Sequence, residues 1–179
     1  MNHPKALAFV QTPSHFPSSF ATERFFALHA YRLVSEAGKA TVVRYRIVPV
    51  LDDGAAVTLA AEEVANAKSP NYLFDDVHTT LSEGGGGRGG KIEYKLLAQV
   101  GQEGDATGDN TVKWPEGERE IVELGTISLT SVLEDNEEKQ KNIIFDPVPR
   151  VEGVEPSDDP LLQIRAAVYL LAGRERRAA

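Results

Sequence analysis

The sequence predicts an α+β fold: an antiparallel sheet of about four strands, short inserted helices, an extended wrapping arm and a C-terminal helix. Three observations predict it. Residues 25–36 and 39–50 alternate apolar and polar side chains on either side of Ala37-Gly38, the pattern of a hairpin. Residues 91–101 and 119–133 read as two further strands. Residues 158–177, DDPLLQIRAAVYLLAGRERR, place apolar residues at helical spacing behind a proline.

Taken in order, residues 1–24 carry Pro4, Pro13 and Pro17 and read as an extended arm. Residues 25–134 hold the strands with a helical insertion. Within them, 58–68 and 72–83 have helical spacing and are separated by Ser69-Pro70, a natural helix break. The run GGGGRGG at 84–90 reads as a flexible loop rather than a phosphate cradle, since no strand precedes it and no helix follows. Gly125 inside the last strand pattern marks a bulge. Residues 135–160 form an acidic exposed loop and a proline-rich wrapping segment. The helix of 161–177 then starts behind Asp159, which can cap free amide groups, and Pro160, which suits the first helical position. The whole of 1–179 reads as one partial domain whose sheet leaves two edges to be paired or covered.

Composition narrows the function classes. The chain has 179 residues, 41% hydrophobic and 26% charged, enough for a real core. Its 27 acidic residues against 19 Lys plus Arg argue against nucleic acid or an anionic membrane as partner. With 0 Cys there is no thiolate metal site and no cysteine nucleophile, which fits a cytoplasmic location. No stretch is apolar enough to span a bilayer, and the N-terminal residues lack a signal-peptide pattern.

The four histidines, His3, His15, His29 and His78, show no paired ligand spacing, so a protein-built zinc site is not expected. No nucleophile elbow, dinucleotide fingerprint or P-loop motif is present. The sharp feature is a polar stripe on the C-terminal helix, Arg165, Tyr169, Ala172 and Arg176, at spacings of four, three and four. One reading is a cation–π or hydrogen-bonded pair with Arg176 solvated. The other makes Tyr169 a metal ligand supported by Arg165, because a phenol ordinarily titrates near 10 and a neutral-pH phenolate needs a cation beside it.

The stretch FDPVPRVEGVEPSDDPLLQIRAAVY, residues 145–169, resembles the proximal segment of the haem catalases and of the smaller catalase-related peroxidases. It repeats their Phe-Asp-Pro (Phe145-Asp146-Pro147), Gly-Ile/Val-Glu (Gly153-Val154-Glu155), Ser-x-Asp (Ser157-Asp158-Asp159) and Arg-x-x-x-Tyr (Arg165 to Tyr169) elements in order. FFALHAYRLVSEAGKATVVRYRIVP resembles the family's barrel hairpin, NYLFDD its helical insertion, and AQVGQEGDATGDNTVKWP with ELGTISL its later strands. The resemblance is nearest to the small catalase-related peroxidases and covers about Pro4 to Arg177. It implies a partial antiparallel β-barrel with about half the family's strands.

The resemblance also implies site residues. Tyr169 would be the axial ligand of a ferric haem iron, as tyrosine is in catalase, with Arg165 donating to its oxygen. His29 and Asp159 would extend that network, Arg176 would meet a haem propionate, and Phe145 would lie near the haem face. His29 could equally be a histidine satisfied in the core, and Asp159 a simple cap. The implied activity is that of a peroxidase or catalase acting on hydrogen peroxide or organic peroxides with an organic electron donor. Nothing in the chain resembles the family's distal histidine and asparagine, so the implied unit is a proximal half, weak or inactive alone. A non-enzymatic haem-binding module, a homo-oligomer or a pairing with another chain across the open edges stands beside that reading.

Overall fold

A computed structural model describes residues 4–11, 16–50, 58–59, 63, 69–82 and 90–178. Its centre is an antiparallel sheet built on one long strand. That strand, β4 (Ala40–Pro49), alternates strictly enough to divide its faces. Arg44 stacks on the Trp114 ring at 4.4 Å and Arg46 on Phe26 at 5.5 Å, whereas Tyr45 packs against Tyr31 with ring centroids 5.5 Å apart. On one side β4 pairs with β6 (Ile92–Val100), and β6 pairs with β7 (Ile121–Leu129). On the other it pairs with β2 (Phe25–Phe26) and β3 (Tyr31–Val34), and β3 pairs with β8 (Val154–Pro156). Among the described residues the path β7-β6-β4-β3-β8 does not close into a barrel, and β7 is left as an edge. A two-stranded ribbon joins β1 (Phe16–Pro17) to β5 (Thr58–Leu59).

Gly125 does sit at a bulge. Leu96 faces Gly125 while Leu97 faces Glu123, so Leu124 is an extra residue in β7.

Several expectations change. The arm of 1–24 contains a helix, α1 (Pro4–Gln11), a short strand and a 3-10 turn, Phe20–Thr22. Pro4 occupies the first helical position, where its missing N–H loses nothing, and Pro13 lies beyond the end. The expected strand 25–36 is two strands separated at 27–30, because only Phe25–Phe26 and Tyr31–Val34 pair with β4. Thr58 and Leu59 of the expected helix 58–68 are strand, and most of its remainder, like most of the glycine run, lies outside the described residues. The acidic loop folds into α3 (Asn136–Lys141), following α2 (Tyr72–Leu81). Glu, Lys and Gln are good helix formers, and Gln140 Nε2 donates to Asn136 Oδ1 at 2.6 Å. The wrapping segment contributes β8, so the extended reading of 135–160 holds only in part. Gly153 at φ 80° makes that return: its Cβ would meet the Val34 carbonyl at 3.1 Å, and Val34 N donates to the Gly153 carbonyl at 2.8 Å.

A buried cluster holds the sheet, the 3-10 turn and α2 together. Ala21, Ile92 and Tyr94 gather Ile47, Val77, Leu81 and Ile127 between sheet, 3-10 turn and α2. Tyr94 donates to the Phe20 carbonyl at 2.7 Å and Tyr72 to the Pro17 carbonyl at 2.9 Å, so both hydroxyls are satisfied where they are packed. Leu162 is 1% exposed at the start of the C-terminal helix, α4 (Pro160–Ala178). Leu162→Ala is expected to destabilise the fold by about 2–5 kcal/mol, read as a lower midpoint in chemical denaturation with unchanged slope.

The loop from β6 to β7 is clasped by Asp105, which accepts from Arg119 Nε at 2.8 Å and Arg119 Nη2 at 2.9 Å. The Arg119 guanidinium holds the Asp105 carboxyl below its usual range. A carboxyl depressed in the folded state stabilises fully above the ordinary carboxylate range and loses that stabilisation as pH falls through its folded value. Asp105→Asn is therefore expected to lower stability at neutral pH and to flatten the acid limb of the stability profile below about pH 4. Thermal melts of both proteins between pH 7 and pH 2 check this; parallel profiles would contradict it.

Candidate functional site

The site grows from α4 and the two elements beside it. Asp159 ends the wrapping segment, and its Oδ1 accepts from Leu161 N at 2.9 Å while its backbone carbonyl accepts from Leu162 N at 3.1 Å. Its other oxygen, Oδ2, lies 2.8 Å from His29 Nδ1, with the two side chains 4% and 3% exposed. Asp159 is therefore cap and histidine partner at once. Ala27 N still donates to the Tyr45 carbonyl of β4 at 2.9 Å, and His29 lies just beyond, where the chain leaves the β4 ladder before Tyr31 rejoins it. In a regular strand the side chain would be fixed to one face by the alternation. The position expected mid-strand is instead the break between β2 and β3.

One turn into α4, Arg165 Nη2 donates to Tyr169 Oη at 2.9 Å, and the Arg165 guanidinium lies 5.5 Å from the Tyr169 ring centre. The same arginine acts electrostatically on Tyr31 of β3. Burial pushes the Tyr31 hydroxyl up from its usual range, and Arg165 pulls the other way. Tyr31 donates to the Pro147 carbonyl at 3.0 Å, which ties β3 to the Phe-Asp-Pro segment. Asp146 of that segment is held below the usual carboxylate range, first by the Val148 N–H and then by Arg150.

The expected line Asp159, His29, Arg165, Tyr169 thus exists as two bonded pairs. His29 Nε2 is buried and has no hydrogen-bond partner among the described residues, so the middle link is not made. Such an orphaned donor or acceptor is costly in a closed core.

Further along the stripe, Arg176 is half-buried rather than fully solvated. It donates through Nη2 to the Ile143 carbonyl and lies 5.6 Å from the Phe145 ring centre. The two positions assigned separately to a haem edge and a haem face are in contact. Sequence reasoning missed Tyr31 and Ile143; the pattern of β3 places Tyr31 on a face, but nothing local marks its partner. The outer side of α4 is open: Ile164, Val168 and Leu171 are each more than half exposed. A cleft of about 280 Å³ lies elsewhere, against the Arg44 face of β4 with Leu28, Gln99 and Trp114, and none of these site residues lines it. Among the described residues no cluster of three or more His, Asp or Glu could hold a metal ion, and no helix is long and apolar enough to cross a membrane.

A sequence model of the catalase family matches residues 2–179. The chain belongs to the catalase family. It is 31% identical over 172 residues to a catalase-related peroxidase of Mycolicibacterium paratuberculosis, covering 94% of this chain and 51% of the relative. A catalase-related peroxidase of Synechococcus elongatus is 29% identical over 172 residues, covering 96% and 48%. Catalase-2 of Bacillus subtilis is 30% identical over 159 residues, 22% of its length. The chain spans about half the length of the catalase-related peroxidases it matches. A fungal catalase structure superposes with a TM-score of 0.75 over 89% of this chain and 32% of that one; at 23% identity this speaks for the fold alone. Catalases as a family bind haem and act on peroxide, so the Tyr169 stripe can be weighed against that chemistry.

Proposed function

We propose that this catalase-family chain supplies the proximal, iron-holding side of a haem peroxidase that acts on hydrogen peroxide or organic peroxides. The observation that carries this is the Arg165–Tyr169 bond at 2.9 Å on α4, set beside the buried His29–Asp159 pair. The donor set suits ferric haem: one phenol oxygen with a guanidinium against it, a second arginine further along the same helix face, and a buried imidazole nitrogen without a hydrogen-bond partner among the described residues.

Bound haem would supply the redox-active iron at which a peroxide is reduced. Tyr169 would hold that iron through its phenol oxygen. Arg165 keeps a fixed positive charge at that oxygen, which an anionic ligand needs. Asp159 fixes the orientation of His29, and His29 Nε2 is the atom that would steady Arg165 from behind. Arg176 would meet a haem carboxylate, and Phe145 would cover the adjoining ring edge. None of these groups cleaves a peroxide bond, and no motif in the chain matches the family's distal histidine and asparagine. The chain alone is therefore expected to turn over peroxide weakly or not at all. Haem-loaded protein assayed with hydrogen peroxide and an organic donor checks this; robust turnover that disappears in Tyr169→Phe would overturn it.

A second reading is favoured by one observation. β7 is a nine-residue edge strand with Ile121, Val122, Leu124 and Leu129 exposed at 37% or more, a surface suited to pairing with another chain or a second copy. In that reading the protein is a haem-binding module that acts only in an assembly. Tight haem binding without peroxidase activity, with a mass above the monomer in light scattering, supports it.

A further inference from the structure

The stripe on α4 contains a gap. Gly173 lies four residues after Tyr169 and three before Arg176, so it occupies the same face as both. It is buried, which is unusual for a glycine in a helix interior, where alanine is intrinsically preferred. A glycine kept there has a packing reason. The neighbour is plain: a Cβ built on Gly173 would clash with Ile144 Cδ1, while Ile144 Cγ1 stays at an ordinary 3.6 Å.

Ile144 is the inward residue of a strap that crosses α4. Ile143 and Phe145 on either side are 41% and 53% exposed. The strap is tied at one end, where Ile143 N donates to the Gln140 carbonyl at 3.1 Å, and at the other, where Pro147 accepts from Tyr31. Between these ties its contacts with α4 are Ile144 in the gap, the Ile143 carbonyl on Arg176 Nη2, and the Phe145 ring under the Arg176 guanidinium. With Nη2 so engaged, Arg176 Nε is buried and has no hydrogen-bond partner among the described residues.

We propose that Gly173 is a positioning residue: the space left by its missing Cβ seats Ile144, and that seating sets Arg176 and Phe145 for the carboxylate edge of a haem. The cofactor half rests on the reading of the previous subsection; the seating half does not. Because the conflict in Gly173→Ala involves only Cδ1, Ile144→Val removes the offending atom. The pair therefore has a built-in rescue.

Amide exchange of the apo chain and haem titration together test this. Gly173→Ala is expected to speed exchange across 143–147 at least tenfold and to weaken haem affinity about tenfold, although helix propensity alone would make it neutral or stabilising. Adding Ile144→Val should return both toward the parent values. Unchanged exchange in Gly173→Ala would overturn the proposal, as would losses that Ile144→Val does not rescue. Should the parent chain bind no haem, the proximal reading and the cofactor half fall together, while exchange and rescue still decide whether Gly173 seats the strap.

Discussion

Tyr169→Phe is expected to abolish iron ligation by this chain, with haem affinity falling by more than about 100-fold. The reasoning is comparative. Partners that only orient a metal ligand cost roughly 10–100-fold in metal affinity when removed. Tyr169 is the ligand itself in the proposed site, and no other described side chain on its face of α4 offers an oxygen or imidazole. Phenylalanine keeps the ring and its contact with Arg165, so helix packing is spared and the loss reports the hydroxyl. Arg165→Ala should lie between, about 10–100-fold, because it removes the charge 2.9 Å from the phenol oxygen and leaves the ligand in place. Haem titration followed in the Soret region measures all three proteins. Equal affinity in Tyr169→Phe and the parent would place haem elsewhere or nowhere.

The second large effect is on folding. Asp159→Ala removes a cap and the partner of a buried histidine in one step. Loss of an N-terminal cap costs about 0.5–2 kcal/mol. Leaving His29 Nδ1 unsatisfied in a 3% exposed position costs about 1–3 kcal/mol more. The total, about 1.5–5 kcal/mol, is a large part of the stability of a domain this size. Asp159→Asn keeps an oxygen for the cap and a polar neighbour for the imidazole, and should cost clearly less. Denaturant melts of the two variants separate these contributions; equal and small losses would mean that the pair at 2.8 Å does little to hold α4 to the β2–β3 break.

How far the sequence foretold this depends on the distance over which each feature is written. β4, β6, β7 and α4 were legible because alternation and helical spacing are local properties of their own residues. The Arg165–Tyr169 bond was legible for the same reason, since four residues make one turn. The His29–Asp159 pair spans 130 positions, and only resemblance to a family brought its members together. Arg176 reaches a carbonyl 33 residues away, so its contact with the strap left no local mark. The charges of α3 suggest a solvated loop, yet Glu, Lys and Gln in series also make a helix. The break at 27–30 was hidden by an alternating pattern that continues through it. There the tertiary demand that His29 face Asp159 outweighs strand propensity.

The proposed site stands or falls on Tyr169 of this chain binding haem iron. Resonance Raman and electron paramagnetic resonance spectra of the ferric-haem complex of the full chain test it most directly. A tyrosinate-to-iron signature that is present in the parent and absent in Tyr169→Phe is the predicted result. Haem bound with identical spectra in both proteins would contradict it.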